Sequence, residues 1–147
     1  MAKTVVARRV GKFRTEVQMG EHRLTADEPR AAGGEGAGPD PYDLLLAALG
    51  ACISMTVTLY SDRKGWPLEG VEVALSHRRV YAEDCADCGQ REPGELLDRI
   101  ERRVTFLGPL DPQQRQRLEE IAGRCPVHRT LSGNVVIVPR SSTETLQ

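Results

Sequence analysis

Residues 40–67 read Asp40-Pro41-Tyr42-Asp43-Leu44-Leu45-Leu46-Ala47-Ala48-Leu49-Gly50-Ala51-Cys52-Ile53-Ser54-Met55-Thr56-Val57-Thr58-Leu59-Tyr60-Ser61-Asp62-Arg63-Lys64-Gly65-Trp66-Pro67. Asp40 suits a helix cap, Pro41 the first helical position, and Asp43 the positive end of the helix dipole. No charge interrupts Leu44 to Tyr60, and Gly65-Trp66-Pro67 stops the helix near Lys64. The uncharged run sits at the lower limit for a bilayer span of roughly 20 residues. It also carries Gly50, Ser54, Thr56 and Thr58. The reading is a buried core helix, apolar on nearly every face in its middle, which other elements must surround.

Upstream, Val5, Val6 and Val10, then Phe13, Thr15, Val17 and Met19, alternate with charged residues at about period two, the mark of strands. His22 to Ala26 reads as a third short strand. Asp27 to Pro39 holds Gly33, Gly34, Gly36 and Gly38 with no large apolar side chain, and reads as a mobile loop. Downstream, Gly70 to Ala82 and Asp98 to Leu107 alternate as strands around a polar loop, Glu83 to Gly94. Asp111-Pro112 caps a second helix with Leu118, Ile121 and Ala122 as its stripe. Cys125-Pro126 ends it and starts a short helix over Val127 to Leu131, and Asn134 to Val138 reads as a last strand. The order βββ-α-ββ-α-β predicts one α+β domain over residues 1–147 with a mostly antiparallel sheet.

The 147 residues carry 20 Lys and Arg against 21 Asp and Glu, which excludes a generally basic nucleic-acid binder. Aromatics are only 4%, too few for a platform that stacks single-stranded bases. The N-terminus has no apolar signal region, so a cytoplasmic location and no membrane partner are expected. Resting cysteines are thiols in that compartment.

Four cysteines remain to be explained. Cys52 shares a helical face with Leu45, Ala48, Leu49, Met55 and Leu59, and by that pattern reads as a small buried hydrophobe. Cys125 sits at a helix start before Pro126, with His128 one turn on. That suits a stabilised thiolate or a metal ligand, and equally a helix-end cysteine beside a surface histidine. Cys85 and Cys88 form a CxxC, at most half of a zinc site, for which His77 and His22 are the only spare imidazoles. An exposed loop without a role accounts for it as well. A thioredoxin-type motif is disfavoured, because such a motif opens a helix and this one lies in a hairpin loop.

Gly38-Pro39-Asp40-Pro41-Tyr42-Asp43-Leu44-Leu45-Leu46-Ala47-Ala48-Leu49-Gly50-Ala51-Cys52, followed by Ser54-Met55-Thr56, resembles the first-cysteine helix of the OsmC/Ohr family of osmotically inducible and organic hydroperoxide resistance proteins. Arg124-Cys125-Pro126-Val127-His128-Arg129-Thr130-Leu131 resembles that family's second-cysteine segment. The loop Asp84-Cys85-Ala86-Asp87-Cys88 is similar to an OsmC-like branch. The resemblance implies an intertwined α+β homodimer with active sites at the subunit interface. It implies a thiol-dependent hydroperoxide reductase with Cys52 peroxidatic and Cys125 resolving. The implied partners are a small-molecule hydroperoxide, organic rather than inorganic, and an external dithiol reductant, with no cofactor.

The family places a Glu ten residues before the first cysteine, where it orients an Arg. Here Tyr42 holds that position and Asp43 follows it. Arg30, the one arginine of the glycine-rich loop, and Asp43 are the candidate replacements, with Arg63 and Arg124 behind them. Two other readings stand: a redox-sensing or zinc-binding protein using Cys85, Cys88 and His77, and a structural or ligand-binding protein that kept two buried thiols. The leading reading expects Cys52 and Cys125 within disulfide reach, and the loop Asp27 to Pro39 closing over Cys52.

Overall fold

The computed structural model describes residues 2–146. Its strands are β1 (Val5–Arg9), β2 (Thr15–Met19), β3 (His22–Ala26), β4 (Gly70–Tyr81) and β5 (Leu96–Leu107). Its helices are α1 (Pro41–Lys64), α2 (Pro112–Ala122) and α3 (Pro126–Ser132), with short 3-10 turns at Arg30–Ala32 and Ala82–Asp84. The chain divides into two compact units. Leu46–Gly133 form one, and the segments on either side of them form the other.

In the flanking unit, β1, β2 and β3 form an antiparallel meander with Val17 opposite both Ala7 and Leu24. The loop after β3 differs from the mobile segment expected. Asp27 is buried, and its carboxylate accepts the amides of Glu28 at 2.9 Å and of Glu35 and Ala37 at 3.1 Å each. The Asp27 amide in turn donates to the Pro39 carbonyl at 3.1 Å. Two glycines allow the chain to wrap this closely: a Cβ on Gly34 or Gly38 would lie 1.9 Å from the Glu28 or Thr25 carbonyl oxygen, respectively. The loop is therefore folded around one carboxylate, and its glycines serve close approach.

The last strand expected, Asn134 to Val138, does not form. Those residues join neither sheet and stand open, with Val136 81% and Ile137 90% exposed. Their run of β-branched residues has strand character, but a strand needs a neighbour for its N–H and C=O groups, and among the described residues none is paired with it.

The central unit begins on α1. Leu49, Ile53, Val57 and Ser61 are buried at successive intervals of four, one stripe of the helix. Leu49, Ile53 and Val57 join Phe106, Leu110, Leu118, Ile121, Ala122 and Cys125 in a single core. Each large side chain so buried contributes about 1.5–3 kcal/mol. β4 and β5 form a long antiparallel ribbon, with Val71 opposite Phe106 and Val73 opposite Val104 supplying its apolar face. β5 starts two residues before the expected Asp98, because Leu96 and Leu97 continue the ladder to Tyr81 and Val80. Asp111 and Gln114 cap α2 reciprocally, side chain to backbone, at 2.8 and 2.9 Å. The opposite side of α1 is not covered: Met55 is 71% and Leu59 52% exposed. By length and composition α1 could also cross a membrane, with mean hydropathy 1.8 over its most apolar window.

Candidate active site

Cys52 stands half-buried in the middle of α1, one residue before the core stripe member Ile53. Cys125 is fully buried between α2 and α3, where it caps α3. Both are free thiols, near enough that Cys52 acts on the acidity of Cys125. The first turn of α3 serves both sulfurs: the Val127 amide donates to Cys52 Sγ at 3.5 Å and the His128 amide to Cys125 Sγ at 3.3 Å. Pro126 leaves no competing N–H at the first helical position. The tertiary fold thus joins two residues 73 positions apart in the chain (125 − 52) into one dithiol site.

The electrostatics of Cys125 correct the cap argument. Burial pushes its thiol above the ordinary value, and this outweighs the His128 amide, which pulls it down. The neighbouring Cys52 raises it further. A cap position favours thiolate only where water or a cation shares the charge, and Cys125 has been removed from water.

An open cleft of about 320 Å³ lies beside the dithiol elements. Leu49, Ile100, Leu131, Arg102 and His128 line it. Asp98 and Ser132 complete the lining, so the apolar Leu49, Ile100 and Leu131 face polar groups of both charge signs, a mixed wall that suits a molecule with an apolar body and a polar end. Arg102 is held by Glu119 at 2.6 Å. Sequence reading passed over Arg102, since in a charged alternating strand nothing distinguishes it from Arg103.

The other candidates are placed as follows. Asp43 pairs with Asp40 in a reciprocal cap, amide to carboxylate, at 2.9 and 3.1 Å. Its carboxylate thus satisfies the first turn of α1. Arg30 opens a 3-10 turn, is exposed, and donates from Nε to the Glu35 carbonyl at 3.3 Å. The organising residue of that loop is Asp27, whose partners are backbone amides. Its signal in the sequence was an Asp at the junction of a strand and a glycine-rich run.

The proposed metal trio also needs correction. Cys85 and Cys88 are joined in a disulfide, with Asp87 beside them, and the donor atoms of the three lie within 4.8 Å of one another. His77 is not part of this cluster. Its Nε2 pairs with Asp98 Oδ1 at 2.8 Å across the β4–β5 ribbon. While the two sulfurs are bonded to each other they are poor ligands, because metal ligation requires thiolates.

Residues 33–139 match the family model described as OsmC-like protein. No curated protein matches the chain. Solved structures share the fold. An OsmC-like protein of Mycoplasma pneumoniae is 19% identical, with a TM-score of 0.71, over 90% of this chain and 89% of that one. An organic hydroperoxide resistance protein OsmC of Legionella pneumophila is 20% identical, with a TM-score of 0.66, over 91% of each chain. The organic hydroperoxide resistance protein OhrB of Bacillus subtilis is 20% identical, with a TM-score of 0.56, over 91% of this chain and 93% of that one.

Proposed function

Because the chain belongs to the OsmC-like protein family, we propose that it is a thiol-dependent hydroperoxide reductase acting on organic hydroperoxides in the cytoplasm. The observation that carries this reading is the pair of free thiols, Cys52 and Cys125, that accept consecutive backbone amides of α3. The names of the Legionella and Bacillus neighbours, organic hydroperoxide resistance proteins, support the substrate class.

The environments of the two thiols divide the roles. Cys125 is out of reach of solvent and disfavoured as a thiolate, so it resolves; Cys52 retains exposure, so it attacks. The Cys52 thiolate displaces alkoxide from the O–O bond of ROOH, and the alkoxide takes a proton to leave as ROH. Cys52 becomes a sulfenic acid. Cys125 sulfur then attacks the Cys52 sulfur, water leaves, and a disulfide forms. An external dithiol reduces it in two exchange steps and is itself oxidised to a disulfide. No metal or organic cofactor enters.

Arg30 is proposed as the cation for the developing charge and Asp43 as its carboxylate counterpart, with Arg102 of the cleft as the competing cation. The exposed Met55 and Leu59 of α1 and the unpaired strand-like segment after Asn134 support assembly as a homodimer. The reading is tested by consumption of cumene hydroperoxide in the presence of dithiothreitol. The wild-type chain turns over and Cys52→Ser does not; equal rates would overturn the proposal.

A further inference from the structure

The loop joining β4 to β5 holds chemistry that the peroxide reaction does not use. Cys85 is buried and bonded to the half-buried Cys88, with Cα atoms 5.4 Å apart. Cys88 lines an open cleft of about 740 Å³ together with Arg91, Leu97, Ile100 and Arg102. Arg99 lines the same cleft, and its Nη1 lies 3.1 Å from Cys85 Sγ. The guanidinium is held there from β5: Asp87 takes both terminal nitrogens and Glu101 takes Nε at 2.9 Å. Cys88 therefore lines the approach route, while the buried Cys85 sulfur sits against a fixed cation at its edge.

A purely structural role explains this poorly. The bridge spans a sequence separation of only three, so it removes little chain entropy. The loop is also closed without it, by Ala82 N–H to the Glu95 carbonyl at 2.8 Å and Gly94 N–H to Glu83 Oε2 at 2.9 Å.

We propose that Cys85–Cys88 is a second redox site, a disulfide that accepts two electrons from a small dithiol, with Cys88 as the sulfur attacked and Cys85 as the leaving thiolate. A reductant thiolate entering the cleft bonds to Cys88 Sγ, and the S–S bond breaks toward Cys85. The electron pair left on Cys85 Sγ faces Arg99 Nη1. Asp87 Oδ1, 3.4 Å from the same sulfur, is its acceptor once Cys85 is protonated. The second thiol of the reductant then attacks its own sulfur on Cys88 and leaves as a cyclic disulfide, and Cys88 takes up a proton. The sum is one dithiol oxidised and one protein disulfide reduced. Arg99 is a positioning residue here: it touches the leaving sulfur and favours its charged form.

The test uses the folded wild-type chain without denaturant. A monothiol, 2-mercaptoethanol, is added in excess, free thiols are trapped with N-ethylmaleimide, and the chain is digested with trypsin. Cys85 and Cys88 share the peptide Val80 to Arg91, apart from Cys52 and Cys125. The expected product carries mercaptoethanol on Cys88 and maleimide on Cys85. With dithiothreitol, Arg99→Met should slow reduction of this bridge about three- to tenfold, as expected for a leaving thiolate that has lost its neighbouring cation. Arg99→Lys should recover part of the rate. An adduct on Cys85, a bridge that reacts only after unfolding, or an Arg99→Met variant reduced at the wild-type rate would each overturn the proposal. Cumene hydroperoxide is absent throughout, so failure here is distinct from failure of the peroxidase reading.

Discussion

The Val127 amide donates to the Cys52 sulfur across 3.5 Å, and the next amide, that of His128, donates to Cys125. One helix turn therefore aims backbone donors at both reacting sulfurs. Hydrogen bonds of this kind strengthen when the acceptor carries negative charge. In the proposed cycle that occurs first at Cys52, then at Cys125.

The two thiols should separate in single-turnover experiments. Cys52→Ser should lower peroxide consumption by at least about a hundredfold, the usual consequence of removing a nucleophile. Cys125→Ala should still reduce one equivalent of hydroperoxide, after which the Cys52 sulfenic acid persists and is captured by dimedone. Detection of that adduct by intact mass in Cys125→Ala, and its absence in Cys52→Ser, is the check. A sulfenic acid on Cys125 of the wild-type chain would reverse the roles.

Arg30→Ala should slow oxidation of the dithiol by peroxide about 10²–10³-fold, the typical loss on removing a preorganised donor. Its circular dichroism should stay that of the wild type, since the Arg30 side chain is exposed and donates a single bond to the Glu35 carbonyl. Stopped-flow measurement with cumene hydroperoxide gives the rate. Should the loss appear in Arg102→Ala instead, the cation is the one held by Glu119 in the cleft.

How far the sequence could be read depends on where each signal resides. α1 was legible because its cap, uncharged run and stop are all local, and α2 because Asp111-Pro112 and the stripe of Leu118, Ile121 and Ala122 are local too. The segment after Asn134 misled because a run of β-branched residues reports strand propensity and cannot report whether a partner strand exists. Asp27 left only its position, at the junction of a strand and a glycine-rich run, as a signal: its partners are the amides of Glu28, Glu35 and Ala37, and an amide is the same whichever residue bears it. The acidity of Cys125 stayed open in the sequence for a related reason: the cap is local, but burial is a property of the whole core. His77 was grouped with the cysteines by elimination, and β-sheet register gave it to Asp98.

Assembly should be decided by α1. Met55 and Leu59 are too exposed for an isolated chain to leave without consequence, and the open stretch Val135 to Val138 adds unpaired backbone. The expected species is a homodimer of twice 16.2 kDa, with a total interface above about 2,000 Å². Sedimentation equilibrium should show no monomer at micromolar concentration for the wild type. Met55→Glu combined with Leu59→Glu should yield monomer or aggregate. A monomer mass independent of concentration in the wild type would exclude the assembly.

Acid should loosen the glycine-rich loop through Asp27. The Ala37 amide does most to hold this carboxyl below its ordinary value; burial opposes it, and the Glu35 and Glu28 amides and the Arg14 charge assist. A carboxyl whose folded value lies below its unfolded one, near 3.9, stabilises the fold fully above that unfolded value. The contribution is lost as pH falls below about 4 and passes through the depressed folded value, because the folded state must then accept a proton it disfavours. Asp27→Asn keeps the shape but turns an NH₂ group toward at least one of three backbone donors. In that variant the Glu35 and Ala37 amides should exchange with solvent at least about tenfold faster at neutral pH. The acid-dependent part of their exchange, seen in the wild type below about pH 4, should flatten. Amide exchange followed by mass spectrometry from pH 7 down to pH 3 measures both effects. Unchanged protection at Glu35 and Ala37 in Asp27→Asn would mean that the glycine turns hold the loop without the carboxylate.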